Sequence, residues 1–125
     1  MIKPLWILSF LLFNLFILSN LHAQRSVEWL SDMEYDFGLL DQFEGQETKF
    51  TFKNISQDTI LIDNVRTTCG CTAPDWDLEP IPPGENRDIR IVYDANKIGY
   101  FRKKIKVFFS HQRKGDVLYV EGEVE

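Results

Sequence analysis

The sequence predicts an all-β fold, a sandwich or barrel of about seven short strands, behind an N-terminal export signal. Two observations carry the fold. Runs of alternating residues, rich in β-branched and aromatic types, recur through residues 26–124. Glycine and proline punctuate those runs at short intervals, from Gly38 to Gly122, and no stretch after residue 24 has a convincing helical period. The third observation concerns the start. Met1-Ile2-Lys3 is a short basic segment, and Pro4 to Leu21 is almost wholly apolar, broken by Ser9, Asn14, Ser19 and Asn20. Leu21-His22-Ala23 then places a small residue before Gln24.

That three-part plan predicts a secretory signal peptide with cleavage after Ala23, rather than an uncleaved membrane anchor, and so an expected division into a signal (1–23) and a domain (24–125). The apolar run falls a little short of the ~20 residues that span a bilayer, so no stable membrane span is expected after cleavage. No cysteine stands directly after it to accept a lipid. The expected destination is periplasmic or extracellular. The 102 residues left suit a single core. Loss of Lys3 takes the formal net charge from −5 to −6, which argues against nucleic acid as a partner, since that needs a basic footprint.

The strands are expected at 26–30, 33–37, 46–54, 60–66, 86–94, 100–109 and 117–124. Period two assigns their faces. Phe50 and Phe52 share one face against Lys49, Thr51 and Lys53. Ile89, Ile91 and Tyr93 share another, as do Ile105, Val107 and Phe109, with Arg102, Lys104, Lys106 and Phe108 pointing out. Leu118 and Val120 oppose Val117 and Tyr119, so that strand is apolar on both sides and expected to be central or covered. Ile60-Leu61-Ile62 reads the same way. Pro82-Pro83-Gly84 marks a sharp turn into the strand at Ile89.

An ordered set of short motifs runs from Tyr35 to Val124. It comprises Asp36-Phe37-Gly38, Phe50-x-Phe52-Lys53-Asn54, Cys69-Gly70-Cys71-Thr72 and Pro80-Ile81-Pro82-Pro83-Gly84. It continues with Ile91-x-Tyr93-Asp94, Gly99-x-Phe101-x-Lys103 and Gly122-x-Val124. The set resembles the bacterial secreted family known as domain of unknown function 1573. The resemblance implies an immunoglobulin-like antiparallel β-sandwich similar to the Hydin and major-sperm-protein type, and it implies no established activity. Members of that family often carry glycine where this chain has Ser56, which leaves the turn at 54–58 open.

Cys69 and Cys71 are the only cysteines, one glycine apart. Export permits a disulfide, and three readings stand. One is structural, two buried thiols or a local disulfide, with Gly70 taking the turn that joins them. A loop this small offers only about 1.6 kcal/mol of closure entropy, so such a bridge is a weak staple. The second is a redox-active pair, because strained or exposed bridges are the more oxidising ones. The third is a soft-metal site for copper or zinc, for which residues 24–125 offer one histidine, His111, against the four ligands a closed zinc site wants.

Asp75, Asp77 and Glu79 suggest calcium, but no EF-hand spacing follows, and a solvated acidic loop is expected. Lys97, Arg102, Lys104, Lys106, Arg113 and Lys114, with Lys103, concentrate basic charge around one hairpin. This is either a partner surface or the solvent face of a strand. Trp76 is expected to fold over the cysteine loop as a lid. Asn54-Ile55-Ser56 matches a glycosylation acceptor, a match the bacterial resemblance makes accidental. No Ser-His-Asp setting or phosphate-binding loop is present. Together these features point to an exported, non-enzymatic module without a cofactor. It would contact an unidentified protein or serve as a structural part of the envelope. The alternative is thiol-disulfide or soft-metal handling by Cys69 and Cys71.

Overall fold

Alternation along each strand leaves one apolar face that must be buried, and two sheets packed face to face bury it. The computed structural model describes residues 4–18 and 25–125. After a helix α1 (Leu5–Leu18) come eight strands: β1 (Val27–Trp29), β2 (Glu34–Leu40), β3 (Gln46–Asn54), β4 (Ile62–Thr67), β5 (Thr72–Trp76), β6 (Asn86–Tyr93), β7 (Gly99–Phe109) and β8 (Asp116–Val124). One sheet has the order β1-β3-β6-β5 and the other β2-β8-β7-β4. All pairs are antiparallel except β2 with β8. The chain leaves the first sheet after β1 and enters the second at β2, so no hairpin forces β2 to run against β8.

The helix is apolar all round. Its 14 residues cover about 21 Å, short of the ~30 Å hydrocarbon core of a bilayer. No helix among the described residues is long and apolar enough to cross a membrane. The expected cleavage after Ala23 lies outside the described residues. Every buried residue among those described lies between Ser26 and Val124, so the segment 25–125 contains its whole core.

That core has two parts. The larger joins Phe50, Phe52, Ile89 and Ile91 of the first sheet to Ile105, Val107, Phe109, Leu118 and Val120 of the second. Phe52 lies edge-on to Trp29 at 5.4 Å and to Phe109 at 4.9 Å between ring centroids. Trp29 donates its indole N–H to Asp116 at 2.8 Å. The smaller part gathers Leu40, Tyr93, Ala95, Phe101 and Val124, with the Tyr93 and Phe101 rings stacked at 3.7 Å. The alternating faces of β3, β6, β7 and β8 are as the period requires, and β8 is central. Pro83 and Gly84 (φ +83°) form a turn closed by Glu85 N–H to Pro82 C=O at 3.2 Å. Positive φ at its second central residue is what glycine supplies there.

Two elements differ from expectation. Residues 72–76 form a strand where an acidic loop was expected. Pro74 disguises it, yet proline is tolerated on a sheet edge. Asp94 N–H donates to Cys71 O at 3.0 Å, so with Pro74 opposite Ile91 the missing N–H of Pro74 faces the open edge. The same edge is thereby poor at capturing a foreign strand. Secondly, Ile60-Leu61-Ile62 is not covered on both sides. β4 is an edge strand, and Leu61 is exposed while Ile60 and Ile62 are buried.

Candidate functional site

The chain crosses from the second sheet to the first between Thr67, the end of β4, and Thr72, the start of β5. The Cys69-Gly70-Cys71 loop is that crossing. The two sulfurs are bonded, with Cα atoms 5.2 Å apart, inside the usual range for a bridge. Thr72 N–H donates to Cys69 O at 3.2 Å, and the Thr67 hydroxyl reaches the carbonyls of Cys69 and Thr72 at 3.2 and 3.3 Å. Cys71 N–H points at Cys69 Sγ at 3.2 Å. Both cysteines are half-buried, and Cys71 packs against the smaller core. Gly70 has no heavy atom within 4 Å of a Cβ position and lies outside the positive-φ region, so the turn does not require glycine.

Some of the residues that carry the family resemblance, Tyr93, Phe101 and Val124, share the smaller core with Cys71. Phe37 packs against both the smaller and the larger core. A Cβ on Gly122 would come within 2.9 Å of both Gly38 O and a Phe101 ring carbon. Elsewhere the fully buried Asn54 donates to Asp58 O and Ile81 O at 2.8 and 2.9 Å. It accepts from Ser56 N–H and Oγ at 3.0 and 2.7 Å. Ser56 therefore completes the turn at 54–58, and an amide so engaged is closed to glycosylation in the folded chain.

Trp76 is no lid. It sits at the far end of β5 from Cys71 and packs against the larger core, with its buried indole N–H unpartnered among the described residues. The acidic trio is not brought together either. Asp75 pairs with Arg90 at 2.7 Å, and Asp77 accepts from Glu79 N–H at 2.9 Å. Among the described residues no three His, Cys, Asp or Glu side chains converge, and bonded sulfurs offer no thiolate to a soft metal.

The basic residues divide. Lys97 precedes β7, whereas Arg113 and Lys114 lie in the loop after it, separated by the roughly 33 Å length of an 11-residue strand. Arg102 is occupied: it bonds Glu34 at 2.7 Å and Glu121 at 3.4 Å and lies 4.1 Å over the Tyr119 ring. The hydrogen bond it donates to Glu34 is the main reason its guanidinium pKa is raised further. Tyr100, which donates to Glu121 at 2.7 Å, has its phenol pKa raised chiefly by that bond. Lys104 and Lys106 remain exposed on the outer face of the second sheet. Phe108 lies beside them, with the Lys106 ammonium 5.9 Å and the Arg66 guanidinium 5.4 Å from its centroid. A Cβ on Gly115 would touch Phe108 and the Lys106 stem, which puts the loop of Arg113 and Lys114 at the same end. Arg66 is the member sequence reasoning missed. Its register opposite Lys106 brings it into the patch, and nothing local reports that.

Comparison with known proteins places the fold and the family. A protein of unknown function from Porphyromonas gingivalis W83 superposes with a TM-score of 0.67 at 19% identity. The match covers 83% of this chain and 51% of that one, so this chain spans about half the length of that protein. PapD-like domain 7 of human CEP192 superposes with a TM-score of 0.69 at 10% identity, covering 80% and 85% of the two chains. The VesB protease of Vibrio cholerae matches at 0.63 and 11% identity, over 89% of this chain and 35% of that one. At these identities the likeness is one of fold, a PapD-like and immunoglobulin-like sandwich. No curated protein matches the chain. The family described as protein of unknown function (DUF1573) matches residues 28–124, and with most of its length so matched the chain belongs to that family.

Proposed function

We propose that the chain is an exported, non-enzymatic immunoglobulin-like module that works at the cell envelope by protein–protein contact. The observation that carries this is the outer face of the β2-β8-β7-β4 sheet. There an aromatic ring, Phe108, is flanked by Arg66 and Lys106, with Lys104 further along the same face, on a chain whose overall charge is negative. Aromatic and arginine side chains gathered in one place are the usual anchors of an interface. To test this, a photo-crosslinking residue is placed at Lys104 and, for comparison, at Lys49 on the outer face of the other sheet. Crosslinks to protein at Lys104 that vanish with Lys106→Glu, and none at Lys49, are the expected result. Equal labelling at both positions would overturn the assignment of the face.

A second reading is favoured by one contact. Cys71 N–H, 3.2 Å from Cys69 Sγ, would stabilise a Cys69 thiolate after reduction, as a thiol-disulfide exchanger needs. The structural reading expects the pair to titrate below about −300 mV against glutathione, and the redox reading expects about −120 to −270 mV. Replacing both cysteines with serine is expected to leave the crosslinks unchanged and to cost no more than a few kcal/mol of stability, since closure entropy offers only about 1.6 kcal/mol. A potential inside the oxidoreductase window, or copper or zinc lost with the cysteines, would shift the function to that corner.

A further inference from the structure

The outer face of the second sheet is not basic throughout. Strand pairing sets Arg66 opposite Lys106 on the β4 side. On the β2 side it sets Asp36 opposite Glu121, and Leu39 opposite Glu123. Glu121 in turn faces Arg102, and Glu123 faces Tyr100. Positive charge therefore gathers toward β4 and the β7–β8 loop. Negative charge gathers diagonally across the face, toward β2 and the start of β7. Each pole has its own apolar group, half-buried at the basic pole and exposed at the acidic one. Phe108 marks the basic pole, while Leu39 and Tyr100, 62% and 68% exposed, mark the acidic one.

We propose that this face binds a second copy of the same chain as a two-fold dimer. This rests on the contact reading above and names the partner. A two-fold axis lying in the interface, at right angles to the line joining the two poles, lays the basic pole of each copy over the acidic pole of the other. Arg66, Lys104 and Lys106 then meet Asp36 and Glu123 twice over, as a self-complementary interface requires, while Glu121 stays with Arg102 and Tyr100 of its own chain. Phe108, half-buried within its own chain, is carried toward the exposed Leu39 and Tyr100 of the other copy, whose apolar surface is covered there. The complementarity is internal to one face, so it needs no other partner to supply it. Four strands at ~4.8 Å spacing and about nine residues at ~3.3 Å give a patch of roughly 19 by 30 Å. Both copies together would bury on the order of 1,100 Å², at the low end for a specific interface, so the dimer is a weak and reversible one.

Sedimentation equilibrium of the segment 25–125, which contains the whole core, tests this. A reversible monomer–dimer equilibrium in the micromolar to submillimolar range is expected. Arg66→Glu and Glu123→Lys should each weaken it about tenfold or more, and the double variant Arg66→Glu/Glu123→Lys should restore it. Lys49→Glu, on the other sheet, should leave it unchanged. Unaltered circular dichroism of each variant separates loss of contact from loss of fold. A monomer up to the millimolar range overturns the proposal, and so does a dimer indifferent to the reversals or one that Lys49→Glu weakens equally. A monomer that still crosslinks to other proteins through Lys104 overturns the self-association alone. A monomer without those crosslinks overturns the contact reading too.

Discussion

Phe52→Ala is expected to destabilise the domain by about 3–5 kcal/mol, read as a fall in the denaturant midpoint of chemical unfolding at constant slope. Phe52 is fully buried in the larger core, edge-on to both Trp29 and Phe109. Its ring is therefore held by residues from both sheets, and its loss would leave a cavity between them. A small domain has only about 5–15 kcal/mol in total, so the variant would lie near the limit of folding. Phe50→Ala belongs to the same class, because Phe50 is also buried between the sheets. Phe108→Ala on the outer face provides the contrast and should cost about 1 kcal/mol or less. A loss below about 1 kcal/mol at both Phe50 and Phe52 would mean that the inner face of β3 has been assigned wrongly.

Asn54→Asp is expected to cost a further few kcal/mol at neutral pH, about 3–5, and the loss should depend on pH. The amide nitrogen of Asn54 donates to two carbonyls, Asp58 O and Ile81 O, at 2.8 and 2.9 Å. A carboxylate there would aim an oxygen at both of them with no solvent to intervene. Burial and the two facing carbonyls favour the protonated acid, so its folded-state pKa would lie above the ordinary ~3.9. A raised folded-state pKa means the missing stability is recovered as the pH falls and lost as it rises through that value. Unfolding curves at pH 7 and pH 5 should show the gap to the parent protein narrowing in acid. Asn54→Ala should be destabilised by roughly 2–4 kcal/mol with no such narrowing. A cost under 1 kcal/mol for the aspartate at pH 7 would show that the buried network does not hold the 54–58 turn.

Both predictions fall on β3, and the two residues were not equally legible. Alternation along 46–54 places Phe50 and Phe52 on one face in any sheet, because successive side chains of a strand must point in opposite directions. Asn54 reads locally as a strand end or a glycosylation pattern. Its partners include Ile81, 27 residues on, and only the turn at 82–85 brings that carbonyl back. The same division runs through the molecule. The inner faces of β6, β7 and β8 and the Pro83-Gly84 turn are decided by residues adjacent in sequence, so periodicity and turn chemistry reveal them. The place of β4 at an edge, the strand hidden by Pro74, the parallel run of β2 beside β8 and the neutralising of Arg102 by Glu34 are decided by which strands become neighbours and in what register. Register is set by burial of the whole apolar set at once, a collective condition that no single stretch of sequence contains. For the same reason the poles of the outer face, Arg66 with Lys106 and Asp36 with Glu121, exist only in the tertiary structure: their members lie 40 and 85 positions apart and meet through the pairing of β4 with β7 and of β2 with β8.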